Sequence, residues 1–332
     1  MTWETLLPRN AARPINHARQ PLPGSSVPAA ADVTFSFFAP RNLAVNLVGN
    51  FTTWLPRPMQ ADEQGWWRAD WHLPDGVYEY RFQVLSLTPW IESRWVQVID
   101  LRTPRLSPDK TANRLCVANG QIRGDEYVWR HDDAPLPLDE GLVSVRLSPD
   151  SPYFGGSAPS CASVFEALGD MAAAGVKEIV IPSTGTTPGL GHDLACPFFP
   201  AAECAQTGSF KCLVDECHRY GIRVIVEMEG TRGDPSGTLA QIDYEYWYAG
   251  PPGRSNHNGG PRFDYEHEDE RLGIYPAREF ARACMFHWID TYHIDGVHFV
   301  GVTSDADRAF LAQLGDEAGA RVTFKPFHFE IG

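Results

Sequence analysis

The chain has 332 residues, 21% charged and 43% hydrophobic, with 18 Phe, 10 Trp and 11 Tyr. That length suits two domains with sizeable cores, and the make-up excludes global disorder. Against 42 acidic side chains stand 28 basic ones, a formal charge of −14 that repels a phosphate backbone, so neither nucleic acid nor an anionic membrane is an expected partner.

Residues 1–31 mix Pro, Ala, Arg and Ser without periodicity and read as an arm with no fold of its own. The opening MTWETLLPRNAARP lacks an apolar signal core, and no stretch approaches the roughly 18 uninterrupted apolar residues of a membrane span, which makes the cytosol the expected compartment. Over residues 32–120 the texture becomes short alternating runs (VTFSFFAP, LAVNLVG, WWRADWHL, YEYRFQVL, WVQVIDL, RLCVANG) broken by turn formers such as Pro74-Asp75-Gly76. This pattern predicts a small antiparallel, immunoglobulin-like β-sandwich. Residues 121–140, with DDAPLPLDEG, read as a linker.

Over residues 141–332 apolar β-branched runs alternate with amphipathic stretches. LVSVRLS, KEIVIPS, IRVIVEM, HIDGVHFVGV and RVTFKPF are predicted strands. SVFEALGDMAAAG, SFKCLVDECHRYG, Pro276 to Tyr292 and Asp305 to Ala318 are predicted helices. Strands apolar on both faces, alternating with helices, imply a parallel sheet with right-handed crossovers. The predicted class is multidomain β plus α/β, a sandwich followed by an incomplete TIM-type β/α barrel. Five units in 192 residues fall short of the roughly 250 of a complete barrel. Open sheet edges would call for cover by the N-terminal arm, a second copy or a protein partner. The seven cysteines show neither CxxC nor zinc spacing, so reduced, mostly buried thiols are expected, with no cofactor and no metal.

Several blocks in this order resemble the α-amylase superfamily, glycoside hydrolase family 13, and especially its glycogen branching enzymes. LVGNFTTW followed by DGVYEYRFQV is similar to the family 48 carbohydrate-binding module that precedes the barrel there. FKCLVDECHRYGIRVIVEME resembles the barrel's second helix and third strand, YHIDGVHFVGVTS its fourth strand, and WYAGPPGRSNHNGGPRFDY the long loop between them. The resemblance implies a retaining mechanism with one attacking carboxylate and one protonated donor about 5 Å apart.

The motifs depart from that pattern where chemistry is required. Against a string similar to DGFRFDGVTS the chain places His298 at the Arg position and Val300 at the nucleophile position. An isopropyl group has no lone pair with which to attack. Strand three ends in Glu227-Met228-Glu229-Gly230-Thr231-Arg232 where the family has DVVYNH or DIVHSH, so Glu227 stands for the Asp and Arg232 for the His. The sugar-stacking Gly-Tyr is Gly191-His192, and the fifth strand, read as RVTFKPF, puts Pro326 near the general-acid position with Glu330 four residues on. His192, Glu227, Arg232, His298, Val300 and Glu330 therefore form a candidate degenerate cleft, with no catalytic residue assigned.

The resemblance places sugar contacts in the sandwich at Trp54, Arg81, Trp90 or Trp95, and Asn113. Trp faces stack on glucose and a few polar side chains bond its hydroxyls. Packing in the core is the alternative for any of these Trp. His257 and its Gly/Asn-rich loop read as a solvated turn, Asp295 as a structural carboxylate, and DYEHEDE (264–270) as solvated, with calcium a minor option. Three functions follow: a non-catalytic α-glucan-binding or regulatory protein; an active hydrolase or branching enzyme using Glu227, Glu229 or Glu330; or an assembly subunit that binds no sugar.

Overall fold

The structure, a computed structural model, describes residues 12–14, 29–102, 105–107, 109, 111–124, 127–132, 136, 142–182, 192–193, 196–200, 207–250, 260–322 and 327–332. Two compact units emerge, one of residues 1–126 with 235–247, the other of residues 127–234 with 248–332.

In the first unit the alternating runs form two antiparallel sheets. One has the order β1 (Ala12–Pro14), β2 (Ala30–Phe38), β6 (Trp66–Pro74), β5 (Gln60–Ala61). The other runs β10 (Gln121–Ile122), β9 (Asn113–Ala118), β7 (Gly76–Leu85), β3 (Val45–Gly49), β4 (Arg57–Pro58), with β8 (Trp95–Val98) also on β7. Period-two burial shows why: Tyr80, Phe82 and Val84 point inward, fully buried, while Arg81, Gln83 and Leu85 point outward. Phe35 meets Tyr80 edge-on at 4.8 Å and Phe37 meets Phe82 at 4.5 Å, joining the two sheets. At the Pro74-Asp75-Gly76 turn, the Asp75 carboxylate accepts from the amides of Asn119 (2.8 Å) and Gly120 (2.9 Å).

Two expectations are corrected here. The arm is not wholly without fold, because residues 12–14 pair with 33–35 along β2. Backbone pairing at a sheet edge needs no side-chain alternation and tolerates Pro14. Residues 121–122, read as linker, likewise extend the second sheet.

A helix absent from the sequence reading, Thr238–Trp247, belongs to this unit. It breaks at Asp243 (φ −164°, ψ 86°), which releases backbone carbonyls that need new donors. The sandwich supplies them: Thr88 Oγ1 donates to Ala240 O (2.7 Å), Ser86 Oγ to Gln241 O (2.6 Å) and Asn42 Nδ2 to Ile242 O (2.9 Å). Ile242 is buried among the sandwich core residues, and Arg41 Nε lies 3.0 Å from the Asp243 carboxylate.

The second unit is built on a five-stranded parallel sheet, order β11 (Val143–Arg146), β12 (Val176–Ile181), β15 (Arg223–Glu229), β16 (Gly296–Val300), β17 (His328–Ile331). A two-stranded ribbon, β13 (His192–Asp193) and β14 (Cys196–Pro200), stands apart from it. In chain order the helices are α1 (Cys161–Ala173), α2 (Thr207–Arg219), α3 (the kinked Thr238–Trp247 of the first unit), α4 (Pro276–Tyr292) and α5 (Asp305–Arg321). Ser160 caps α1 by accepting from Ser163 N, and Ser304 caps α5 by accepting from Asp307 N. One sheet face carries Val224, Val226, Val297 and Phe299, all buried. Helix packing on that side is tight at Gly315 of α5, where a Cβ would come within 2.5 Å of the Phe329 ring.

The last strand is not RVTFKPF. Helix α5 runs on to Arg321, and the strand is His328–Ile331, which puts Glu330 inside it; Pro326 lies outside the described residues. Alternating Val, Phe and Phe suggested the earlier segment, but β16 pairs in parallel with residues 328–331. The expectation of reduced thiols also fails in part: Cys161 is disulfide-bonded, whereas Cys116, Cys212, Cys217 and Cys284 are free. Asp295 is structural, as expected. Fully buried, it accepts from Val224 N (2.8 Å), and the Nε2 of His218 lies 2.9 Å away.

Candidate functional site

The second face of the parallel sheet is polar. Its register aligns Glu227, His298 and Glu330 in one cross-strand row, and Glu229 with Val300 in the next. Every one of these positions except Val300 carries a titratable group, and His298 and Glu330 meet across the row. Glu227 receives a bidentate clamp from Arg146, Nε to Oε1 at 2.7 Å and Nη2 to Oε2 at 2.9 Å. His298 Nε2 lies 3.1 Å from the Glu330 carboxylate, which is well exposed. Burial pushes the His298 imidazole below its ordinary value, opposed by Glu330.

Burial lifts the Glu229 carboxyl above the usual range, with Arg232 pulling the other way. Both residues border a small, mainly apolar cavity between the sheet and α4, alongside Met228, Phe263, Tyr265 and Phe299. Tyr265 Oη donates to Gly230 O at 2.5 Å, closing one wall. Val300, at the position the resemblance assigns to the attacking group, presents hydrocarbon between these charged neighbours. His192 lies in β13 with its side chain outside the described residues, as is all of His257. Within DYEHEDE, the carboxylate of Asp264 accepts from Glu266 N and His267 N and that of Asp269 from Leu272 N, so both serve their own turns.

In the sandwich, the outward face of β7 and β8 gathers three of the five expected sugar contacts. Trp54 and Trp95 are 42% and 40% exposed, and Trp90 is 44% exposed. Arg81 holds its guanidinium 5.5 Å from the Trp54 ring centroid. It donates to Thr111 Oγ1 (2.8 Å) and Gln97 Oε1 (3.3 Å), so its plane is fixed. Thr53 and Trp54 both have left-handed backbones, φ 54° and 59°. For a bulky residue this costs about 1–2 kcal/mol, and the turn is held by Trp54 N donating to Gly49 O at 2.8 Å.

The other two candidates are placed differently. Asn113 is fully buried, with its Oδ1 accepting from Asp100 N (2.6 Å) and its Nδ2 donating to Asp100 O (2.8 Å), so its amide is used by the chain's own backbone and not offered to a sugar. Trp90 packs edge-on against Tyr244 of α3 at 4.8 Å. Sequence reasoning missed Gln97 and Thr111, which position Arg81; strand alternation marks Gln97 as outward-facing beside Trp95. It also missed Glu178 and His328 on the polar sheet face, which join His298 in a trio whose donor atoms lie within 4.8 Å of one another.

Residues 24–99 match carbohydrate-binding module 48, the isoamylase N-terminal domain. Over most of its length the chain is similar to the 1,4-alpha-glucan branching enzyme of Leifsonia xyli subsp. xyli (25% identical over 286 residues, 81% of this chain and 36% of that one). The enzyme of the same name from Cupriavidus pinatubonensis is 25% identical over 315 residues, 84% of this chain and 39% of that one. The chain thus spans less than half the length of these curated relatives. Among solved structures, a putative alpha amylase from Salmonella typhimurium (TM-score 0.63, 16% identity, covering 92% of this chain and 48% of that one) and a pullulanase from Bacillus acidopullulyticus (TM-score 0.64, 15% identity, 90% and 40%) share the fold.

The chain thus pairs a β-sandwich that carries the module 48 match with a parallel β/α sheet, in a fold shared with those solved structures. More particularly, most of the chain is similar to 1,4-alpha-glucan branching enzymes, and the module 48 match falls in its first unit. Among the described residues no helix is long and apolar enough to cross a membrane.

Proposed function

We propose that the chain binds α-glucan without cleaving it, through Trp54, Arg81 and Trp95 on the outer face of the sandwich. The observation that carries this reading is the exposed Trp54 indole beside the anchored Arg81 guanidinium, with Trp95 exposed on the same sheet face. Flat apolar rings suit the C–H faces of glucose, and a fixed fork of donors suits its hydroxyls. A strained backbone at Trp54 fits the same reading, since such strain concentrates at binding sites. Asn113 drops out of the contact set because its amide is already engaged; Trp90, though exposed, is set aside because it braces Tyr244 and no hydrogen bond or ring contact joins it to Arg81 among the described residues.

The non-catalytic half of the proposal rests on Val300 and on Glu227 being clamped by Arg146. A retaining mechanism needs a free attacking carboxylate, and neither residue supplies one. Glu229, with its raised carboxyl, is the specific group an active alternative would use as proton donor. Incubating the purified chain with amylose while following iodine absorbance and reducing ends separates the two. Unchanged amylose is expected, and robust turnover that is lost in Glu229→Gln would refute the non-catalytic reading.

A further inference from the structure

The trio on the polar sheet face has donors and geometry that sugar binding does not use. In register, β17 lies three strands from β12, so Glu178 and His328 would stand roughly 14 Å apart on a flat sheet, out of mutual reach. Yet His328 Nδ1 lies 2.7 Å from Glu178 Oε2, so this face is concave and its side chains converge. Gly296, the β16 partner of His328, is what lets the histidine lean in. A Cβ there would come within 2.7 Å of His328 Cβ and 2.3 Å of its carbonyl oxygen. The rings of His298 and His328 then meet at 5.0 Å, inclined by 72°.

We propose that Glu178, His298 and His328 form a binding site for a divalent transition-metal ion of the zinc class. Two imidazoles and one carboxylate are a borderline-soft set that suits Zn²⁺, Co²⁺ or Ni²⁺ and does not suit the all-oxygen preference of Ca²⁺ or Mg²⁺. Their donor atoms already lie within 4.8 Å of one another, so modest side-chain movement brings them to a common ion. Glu178 is 2% exposed, and its second oxygen accepts from Ser144 Oγ at 3.1 Å, which orients the carboxylate as supporting residues do around metal ligands. The Glu330 carboxylate beside His298 adds negative charge at the open side. A bound cation would take the place of the His328 Nδ1–Glu178 Oε2 hydrogen bond. The site lies within the second unit and is independent of sugar binding by the first.

Co²⁺ serves as the probe, added to the full chain carrying no polyhistidine tag. The expected result is a saturable, equimolar set of visible d–d bands that Zn²⁺ abolishes by displacement and excess Ca²⁺ does not. His298→Gln and Glu178→Gln should each weaken Co²⁺ affinity by at least about tenfold, the loss typical of altering a ligand or its support, with circular dichroism unchanged. His72→Gln, at an exposed histidine of the sandwich, should leave it intact. Absence of bands, bands unaffected in both variants, or displacement by Ca²⁺ as effective as by Zn²⁺ would each overturn the proposal and leave the trio as an ion-pair cluster.

Discussion

Acidification should weaken the second unit through His287 and strengthen the first through Asp243. His287 sits half-buried on α4, its ring against Phe198 and Tyr292. Burial lowers its imidazole to about 4 from 6.5, with Asp290 opposing and Lys211 assisting. Between those two values the unfolded chain holds the extra proton, so stability rises with pH there and is lost as pH falls from 6.5 toward 4. Going from pH 7 to pH 5 this single group should remove about 2 kcal/mol.

Asp243 has the opposite sign. Burial raises its carboxyl to about 6 from 3.8, with Arg41 opposing, so the folded state holds the extra proton and stability falls as pH rises between those values. Over the same step from pH 7 to pH 5 it should add about 1 kcal/mol to the first unit. Urea unfolding of wild type, His287→Gln and Asp243→Asn at the two pH values isolates each group, because the remaining carboxylates and histidines cancel in the difference. His287→Gln should flatten the acid loss by about 2 kcal/mol and Asp243→Asn should deepen it. Identical pH dependence in wild type and His287→Gln would refute the assignment of an imidazole kept neutral by its surroundings.

Gly315→Ala should destabilise the second unit by about 1–3 kcal/mol despite alanine's better helix propensity, since the new methyl overlaps the Phe329 ring; thermal melts that rise instead would contradict the packing of α5 on β17. Thr88→Val should cost about 1–3 kcal/mol by leaving the Ala240 carbonyl, exposed by the break in α3, without its donor. Hydrogen exchange localised to residues 238–247 should speed up in that variant, and exchange unchanged from wild type would show that the break needs no outside donor.

How much of this was legible in the sequence depends on which residues do the specifying. Helix α4 could be placed at Pro276 to Tyr292 because Pro at its first position is a local start signal. Strands β2, β6 and β7 were equally plain, since alternation with one buried face is a property of the segment itself. Helix α3 was not. Its Ile242, Tyr244, Tyr246 and Trp247 are buried on all sides, and its break at Asp243 persists only because Ser86, Thr88 and Asn42, some 150 to 200 residues earlier, accommodate it. The final strand was misplaced because Val322 and Phe324 alternate as a strand would, while the actual pairing of 328–331 is set by β16.

The site divides in the same way. Trp54 and Arg81 were readable from a local motif, but Asn113 was assigned to sugar although the Asp100 backbone consumes its amide, a fact visible only in three dimensions. Glu178, His298 and His328 are spread over 150 positions of sequence and meet only because the sheet is concave. No spacing rule for metal ligands would find them.

The glucan-binding claim is tested most directly by affinity electrophoresis of the full chain in native gels containing glycogen. Wild type should be retarded relative to a glycogen-free gel. The double variant Trp54→Ala, Trp95→Ala should migrate as though glycogen were absent, while Trp90→Ala keeps most of the retardation. Equal retardation of wild type and the double variant, or none for wild type at any glycogen concentration, would contradict the assignment.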